Sequence, residues 1–222
     1  RCRSARLIGM EIAGRIGPWG HELVRAGAKA RNRRLRKAFV ISKAWTLLDS
    51  RPVSDHRVFR IRDDIYRFEP SGQQRDFVVM ESPDWVNVVP VTDDGQVVLI
   101  RQYRHGIRSV CLEIPGGILD PQERPEDGAL RELREETGYG AERIRFLGRT
   151  RPNPAIQNNY QYTYLAEGCR KVSGLQLDPF EHIEVALYPL AEIPRLIQTE
   201  EITNALMIIA FHFLGMADNG KA

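Results

Sequence analysis

Three glutamates, Glu132, Glu135 and Glu136, sit close together in the run Arg131-Glu132-Leu133-Arg134-Glu135-Glu136-Thr137-Gly138. On a helix, positions i, i+3 and i+4 share one face, so these carboxylates converge. Like charges so placed cost about 0.2–0.5 kcal/mol per pair in water, and more when partly buried. Arg131 and Arg134 relieve part of that repulsion, and a divalent cation would relieve more. Carboxylate and carbonyl oxygens suit Mg²⁺, with Mn²⁺ as an alternative, and such ions keep several waters and bridge to substrate phosphates. Just upstream, Gly116-Gly117 would let the backbone turn tightly and could bring a carbonyl to the same ion.

The carboxylates need a helix to carry them, and its limits are legible. Pro125 suits a first helical turn, where its missing N–H is not needed. Glu126 and Asp127 then lie where the helix dipole favours negative charge. Gly138 is a left-handed C-cap residue, and Ala129, Leu130 and Leu133 form an apolar stripe that docks on a sheet.

A strand-rich half precedes this helix, from Trp45 to Leu99. Residues 58–62 and 65–68 alternate apolar and polar, and Pro70-Ser-Gly-Gln73 reads as the turn into a strand over 75–81. Asn87–Val91 and Val97–Arg101 read as more deeply buried strands about an Asp93-Asp94-Gly95 hairpin turn. After the helix, strands are expected over 143–150, 160–167 and 183–190, with a loop over 172–182. Helical patterning covers 191–197 and 203–214, where Leu206, Ile209, Ala210 and Phe213 share a face. The sum is an α/β (α+β) arrangement, a mixed sheet with a few helices packed on it.

Composition bounds the rest. A chain of 222 residues holds one domain with a full core and room for an appendage. The apolar stretch Ala205–Leu214 is interrupted by His212 and is too short to span a bilayer, so no membrane association is expected. Cys2, Cys111 and Cys169 are odd in number and widely spaced, which argues for a reducing, cytoplasmic compartment and inert thiols. Residues 1–40 carry about +9, leaving −6 for residues 41–222 of a chain with net charge +3. The division expected is therefore a basic extension over 1–40 ahead of one domain over 41–222. The cluster Arg31–Lys37 makes the arm a solvated tail, or the one place where nucleic acid could be held. Met10 is the first methionine, so residues 1–9 are expected to be an upstream extension.

Taken alone, three glutamates on a helix are more often a solvated face than a site. The full run decides otherwise: Gly117, Glu123 six residues on, then Arg131-Glu132-Leu133-Arg134-Glu135-Glu136-Thr137-Gly138. Seven fixed positions at background frequency match by chance about once in 10⁸ starts. This segment resembles the signature box of the Nudix hydrolases. The flanks Val98–His105 and Leu112–Gly117 look like the lead-in of the ADP-ribose pyrophosphatase branch, and Pro154 stands where that branch carries a proline. The resemblance extends over roughly residues 45–215.

It implies a Nudix-type α/β/α sandwich with a mixed sheet and an N-terminal antiparallel strand region. It also implies Mg²⁺-dependent hydrolysis of a nucleoside diphosphate sugar, ADP-ribose or a relative, by in-line attack of an activated water on phosphorus. Glu132 and Glu136 match the main metal-ligand positions, Glu135 a further ligand or base, and the Gly116 carbonyl a backbone ligand. Glu123 and Arg131 brace the loop as an ion pair, alongside the fixed Gly117 and Gly138. Glu113 matches an acid lining the site, and Arg104 a substrate contact. The branch takes its base from a late loop, here 174–182, where Glu181 is the best-matched acid, either base or metal ligand, and Glu184 the next; His182 is incidental. Phe59, Phe77 and Trp85, with Trp45, are candidate platforms for the nucleobase or members of the core. A homodimer formed through the strand-rich half is expected.

This chain departs from the branch at three points. Arg124 stands where a serine cap is common, Pro115-Gly-Gly replaces Pro-Ala-Gly, and Pro152-Asn-Pro154-Ala-Ile-Gln-Asn158-Asn replaces Pro-Ser-Pro-Gly. The last, an amide-rich loop including Asn158, could bond a different base or sugar. Alternatives therefore stay open: another substrate (GDP-mannose, a dinucleoside polyphosphate, an RNA cap), or a non-catalytic nucleotide-sensing module with a nucleic-acid-binding arm. The retention of every box glutamate favours the enzyme.

Overall fold

A computed structural model describes residues 43–219. The basic arm over 1–40, with Cys2 and Met10, lies outside the described residues. In chain order the elements are β1 (Trp45–Asp55), β2 (Arg60–Phe68), β3 (Gln73–Glu81), β4 (Trp85–Val91), β5 (Gln96–Arg104), β6 (Ser109–Glu113), β7 (Gly116–Ile118), α1 (Pro125–Thr137), β8 (Tyr139–Gly140), β9 (Arg143–Thr150), β10 (Gln161–Glu167), β11 (Arg170–Lys171), β12 (Ile183–Pro189), α2 (Ile193–Gln198) and α3 (Ala205–Asn219). A 3₁₀ turn over Leu190–Glu192 leads into α2.

Two compact units divide these residues. The smaller comprises 43–48 and 65–75, where Trp45 packs on Phe68 at 4.7 Å between ring centroids and meets Tyr66 edge-on at 6.4 Å. The larger holds 49–64 and 76–219 and carries the main sheet. The strands β1, β2 and β3 form a three-stranded sheet in that order. The main sheet runs β12-β5-β4-β10-β9, with β6 paired to β5 and β7 to β4. It is mixed: β4 and β10 are parallel, from Gln161 beside Trp85 to Glu167 beside Val91, and the other pairings are antiparallel.

Alternation along β4 sorts its side chains between two cores. Val86 and Val88 face one side, where Leu119, Ala129, Leu133, Tyr164 and Ala166 pack with them and seat α1. Val89 faces the other, with Val97, Leu99, Leu112, Ile114 and Leu165 from the sheet and Leu196, Met207, Ala210 and Leu214 from α2 and α3. A helix on one face and two on the other give the expected α/β/α sandwich. No helix among the described residues is long and apolar enough to cross a membrane. Cys111 and Cys169 are free thiols.

Two apolar stripes differ from expectation. On α1 the buried positions are Gly128, Ala129, Glu132, Leu133, Glu136 and Thr137, while Leu130 is only half-buried. Two carboxylates thus occupy the sheet side that a hydrophobic count gives to leucine. On α3 the buried stripe is Met207, Ala210 and Leu214, turned from the expected set led by Leu206 and Ile209. Apolar residues surround most of this helix, so periodicity alone leaves its rotation open. Its cap fixes it: the Asn204 Oδ1 accepts the Leu206 N–H at 3.0 Å, and the Asn204 Nδ2 donates to Glu113 at 2.9 Å.

The limits of α1 follow their local chemistry. Arg124 makes no side-chain cap bond and forks onto Asp127 instead, at 2.7 and 2.9 Å. Gly138 ends the helix at φ 69°, with its N–H on the Arg134 carbonyl at 2.8 Å. A Cβ there would lie 2.4 Å from the Ser173 carbonyl oxygen. Gly138→Ala is expected to destabilise the protein by about 1–3 kcal/mol through backbone strain and that clash. Urea unfolding of the variant against wild type measures it, and an unchanged midpoint would contradict it.

Candidate active site

The strand β7 is the hinge of the site. It lies antiparallel to β4, with Gly116 opposite Asn87, Gly117 opposite Val86 and Ile118 opposite Trp85. Neither glycine takes a left-handed backbone, so the tight turn expected of Gly116-Gly117 is not what they supply. Close approach is. A Cβ on Gly116 would lie 2.3 Å from the Val86 carbonyl oxygen and 2.7 Å from the Asn87 Cα. A Cβ on Gly117 would lie 2.3 Å from Glu132 Oε1. The bare Gly117 leaves room for Glu132 to lie against the strand, and the bare Gly116 lets β7 approach β4.

Glu136 is 4% exposed and accepts the Gly116 N–H at 2.8 Å. Glu132, 9% exposed, accepts from Arg131 Nη1 at 2.9 Å. The same nitrogen reaches Glu135 Oε2 at 3.0 Å. The other side of the guanidinium grips Glu123, Nε to Oε1 at 2.8 Å and Nη2 to Oε2 at 2.9 Å, and Nη2 also meets the Ile118 carbonyl at 3.2 Å. Arg131 thus joins the loop before α1 to two of its three clustered glutamates. Held by Arg131, Glu123 stays below the usual carboxylate range.

Glu132 and Glu136 move the opposite way. Burial pushes Glu132 up to about 7; Arg131 opposes this, and the charges of Glu135 and Glu181 add to it. Burial is again the main cause for Glu136, pushed up to about 8, with repulsion from Glu132 next and the Gly116 N–H in opposition. Removing two neighbouring carboxylates from water disfavours their charged forms.

Among the described residues, no three carboxylate, imidazole or thiol groups close round a common point. The expected convergence of Glu132, Glu135 and Glu136 is divided, because Arg131 holds the first two and the backbone holds the third. The Gly116 group seen at the site is its N–H, bonded to Glu136. The donor set still fits a hard divalent cation. Two buried carboxylates repel each other beside a strand edge of backbone groups, and neither has a full positive charge of its own.

Glu113 and Arg104 face each other. Both Arg104 Nε, at 3.0 Å, and Arg104 Nη2 donate to Glu113 Oε2, and Asn204 takes Oε1. Glu113 is 1% exposed and fully occupied by these partners. Glu181 is exposed on the late loop, its Oε2 accepting the Asp178 N–H at 3.2 Å, and its charge is felt at both Glu132 and Glu136. Glu184 is exposed on β12.

A cleft of about 460 Å³ opens along β7. Val58, Phe59, Met80, Trp85 and Ile118 give it apolar walls, and Arg104, Asn204 and Met207 line it together with both glycines. Of the aromatic candidates, Phe59 and Trp85 line the cleft and Phe77 does not; Trp45 belongs to the smaller unit. Pro154 and Asn158 are exposed and do not line it. Asn158 is used locally instead: its Oδ1 accepts the Ser82 N–H at 3.2 Å, and its carbonyl accepts from Arg151 at 2.7 Å. Gln157, one residue earlier, does line the cleft.

Asn87, Gln161 and Asn204 also line the cleft and were not singled out from the sequence. Asn204 had a readable signal, an amide just before an apolar helical run. For Asn87 and Gln161 the signal was a carboxamide within an otherwise apolar or aromatic strand.

Because Glu132 and Glu136 have folded values above the ordinary 4.5, the folded chain binds more protons than the unfolded chain. Their contribution to stability is complete below about pH 4.5 and is lost as pH rises towards about 8. A divalent cation selects the ionised forms. The melting temperature with Mg²⁺ minus that with chelator is therefore expected to grow as pH rises from about 5 to about 8. Thermal melts at matched ionic strength test this, and a constant difference would count against it.

Known proteins give this geometry a family. Residues 82–209 match the NUDIX domain. The ADP-ribose pyrophosphatase of Bacillus subtilis (strain 168) is 30% identical over 150 residues, covering 67% of this chain and 81% of that protein. The ADP compounds hydrolase NudE of Escherichia coli (strain K12) is 29% identical over 167 residues, covering 74% and 88%. A crystal structure of an ADP compounds hydrolase superposes with a TM-score of 0.72 at 26% identity, covering 80% of this chain and 96% of that one. With the domain match spanning more than half its length and the box glutamates gathered on α1 against β7, the chain belongs to the Nudix hydrolase family.

Proposed function

We propose that this chain hydrolyses a nucleoside diphosphate sugar, ADP-ribose or a close relative, to a nucleoside monophosphate and a sugar phosphate, with Mg²⁺ as cofactor and Mn²⁺ as a substitute. The observation that carries the reading is the pair of buried, mutually repelling carboxylates, Glu132 and Glu136, seated on the Gly116–Gly117 strand beside the cleft. Nudix hydrolases generally use divalent metals. The names of the relatives supply the substrate class.

Glu132 and Glu136 would hold the cation, with a backbone group of Gly116 beside them and Glu135 within reach once released from Arg131. A divalent ion held there would neutralise charge on phosphoryl oxygens and lower the pKa of a water. Arg131, anchored by Glu123, keeps Glu132 in place. Glu181 is the acid that would take a proton from the attacking water, helped by an exposed loop position that lets it approach the substrate. Arg104 contacts substrate while Glu113 and Asn204 fix its guanidinium. Phe59 and Trp85 offer flat apolar surface for a base. Pro154 and Asn158 would shape the rim. The enzyme would be cytoplasmic and dimeric, one Nudix domain over 41–222 behind a basic arm. Exposed Val53, Phe77 and Val78 in the strand-rich half supply apolar area for pairing.

A panel of ADP-ribose, ADP-glucose, GDP-mannose, dinucleoside polyphosphates and NADH, read by product mass, tests the reaction. Glu132→Gln and Glu136→Gln are each expected to lower Mg²⁺-dependent kcat by about 10²–10³-fold, on the scale of losing one group that stabilises transition-state charge. Full activity in either variant would remove the site assignment. Light scattering is expected to return twice the chain mass, and a monomeric value would rule out the dimer.

A further inference from the structure

Among the described residues, Asn87 and Asn159 are the two buried side-chain amides of the larger unit left wholly without partners, and of the two only Asn87 lines the cleft. It is 1% exposed, yet neither Oδ1 nor Nδ2 has a hydrogen-bond partner. Burying an amide without partners costs free energy. The neighbours on β4, Val86 and Val88, show that an apolar residue is at home in this strand. Asn87 lies opposite Gly116, where a Cβ would fall 2.8 Å from the Asn87 Cβ, and both residues line the cleft.

The sheet register orders the cleft. Asn87 and Thr163 sit side by side, and Trp85 and Gln161 form the next pair on the same face. Residues two apart on a strand are separated by about 6.6 Å. Asn87 is therefore the cleft amide beside Gly116, whose N–H holds Glu136, and Trp85 lies one step further out. With a diphosphate held at Glu132 and Glu136 as proposed above, the moiety within reach of Asn87 would be the one attached directly to it. A phosphate oxygen only accepts hydrogen bonds and would leave Oδ1 unsatisfied. A base would stand at least one sugar further from the diphosphate than the group beside Asn87. Neighbouring sugar hydroxyls donate and accept together, which complements a carboxamide.

Resting on the diphosphate-sugar reading above, we infer that Asn87 is a specificity-determining residue that binds adjacent hydroxyls of the sugar next to the diphosphate, donating through Nδ2 and accepting through Oδ1. That sugar is either the ribose of the nucleoside or the terminal sugar, and both present the same chemistry.

The test compares wild type, Asn87→Ala and Asn87→Val on ADP-ribose and on two deoxy analogues, one lacking a hydroxyl on the nucleoside ribose and one lacking it on the terminal ribose. Each substitution should lower kcat/KM on ADP-ribose about tenfold, the scale of an uncharged hydrogen bond to a ligand. On the analogue that has lost the bonded hydroxyl, the same substitution should change kcat/KM by less than about twofold, since a lost partner cannot be lost again. Which analogue behaves so identifies the sugar. The melting temperature of the free variants should equal or exceed that of wild type, because the amide removed was unpaired. Equal losses on all three substrates, a lowered melting temperature with such losses, or no loss on any substrate would overturn the assignment. Failure of wild type itself to hydrolyse ADP-ribose would instead strike the functional reading on which the inference rests.

Discussion

The structure turns on two carboxylates placed where a helix ordinarily buries hydrocarbon. Glu132 and Glu136 lie on the sheet side of α1, between Ala129 and Leu133 on the helix and the bare backbone of Gly116 and Gly117. Desolvation works against their charge, and the charge of Glu132 adds to the burden on Glu136. Most of the surrounding architecture answers that strain. Gly117 removes the side chain that would collide with Glu132, Arg131 makes four hydrogen bonds to Glu123, Glu132 and Glu135 and a fifth to the Ile118 carbonyl, and the Gly116 N–H takes Glu136. The core of Val86, Val88, Leu119 and Leu133 supplies the apolar contact that keeps the helix seated despite them.

A second set of contacts fixes the opposite face. Asn204 caps α3 with its oxygen and holds Glu113 with its nitrogen, while Glu113 holds Arg104. One side chain thus sets both the rotation of an apolar helix and the direction of a guanidinium in the cleft. The two faces meet along β4 and β7, where the cleft opens.

Much of this was legible in the residues. Pro125 and Gly138 delimit α1 by local backbone chemistry, which needs no tertiary information, and the spacing of Glu132, Glu135 and Glu136 marks a charged cluster. What escaped was set by contacts between distant segments. The Gly116-Gly117 pair looks like a turn in one dimension and is a strand in three, because the residues that require glycine are at 86, 87 and 132. The face of α3 was ambiguous because apolar residues nearly surround it, and a bond 91 residues away in sequence decides it. The amide-rich loop at 153–159 drew attention to Asn158, but the chain spends that side chain on Ser82 and turns Gln157 inward. The isolated Asn87 was hidden among valines, where strand patterning reads it as noise.

The end of α1 has a wider reach than a cap. The Gly138 carbonyl accepts the N–H groups of Val172 and Ser173, the Glu135 carbonyl accepts that of Gln176, and the Thr137 carbonyl accepts Lys171 Nζ. The segment leading to Glu181 is therefore stitched to the last turn of the box helix, and it resumes in β12 at Ile183. Only the short span from 177 to 182 lies between those moorings. Evolution can lengthen, shorten or recolour that span as a replaceable module, tuning how the late acid meets a substrate without disturbing the carboxylates beneath it.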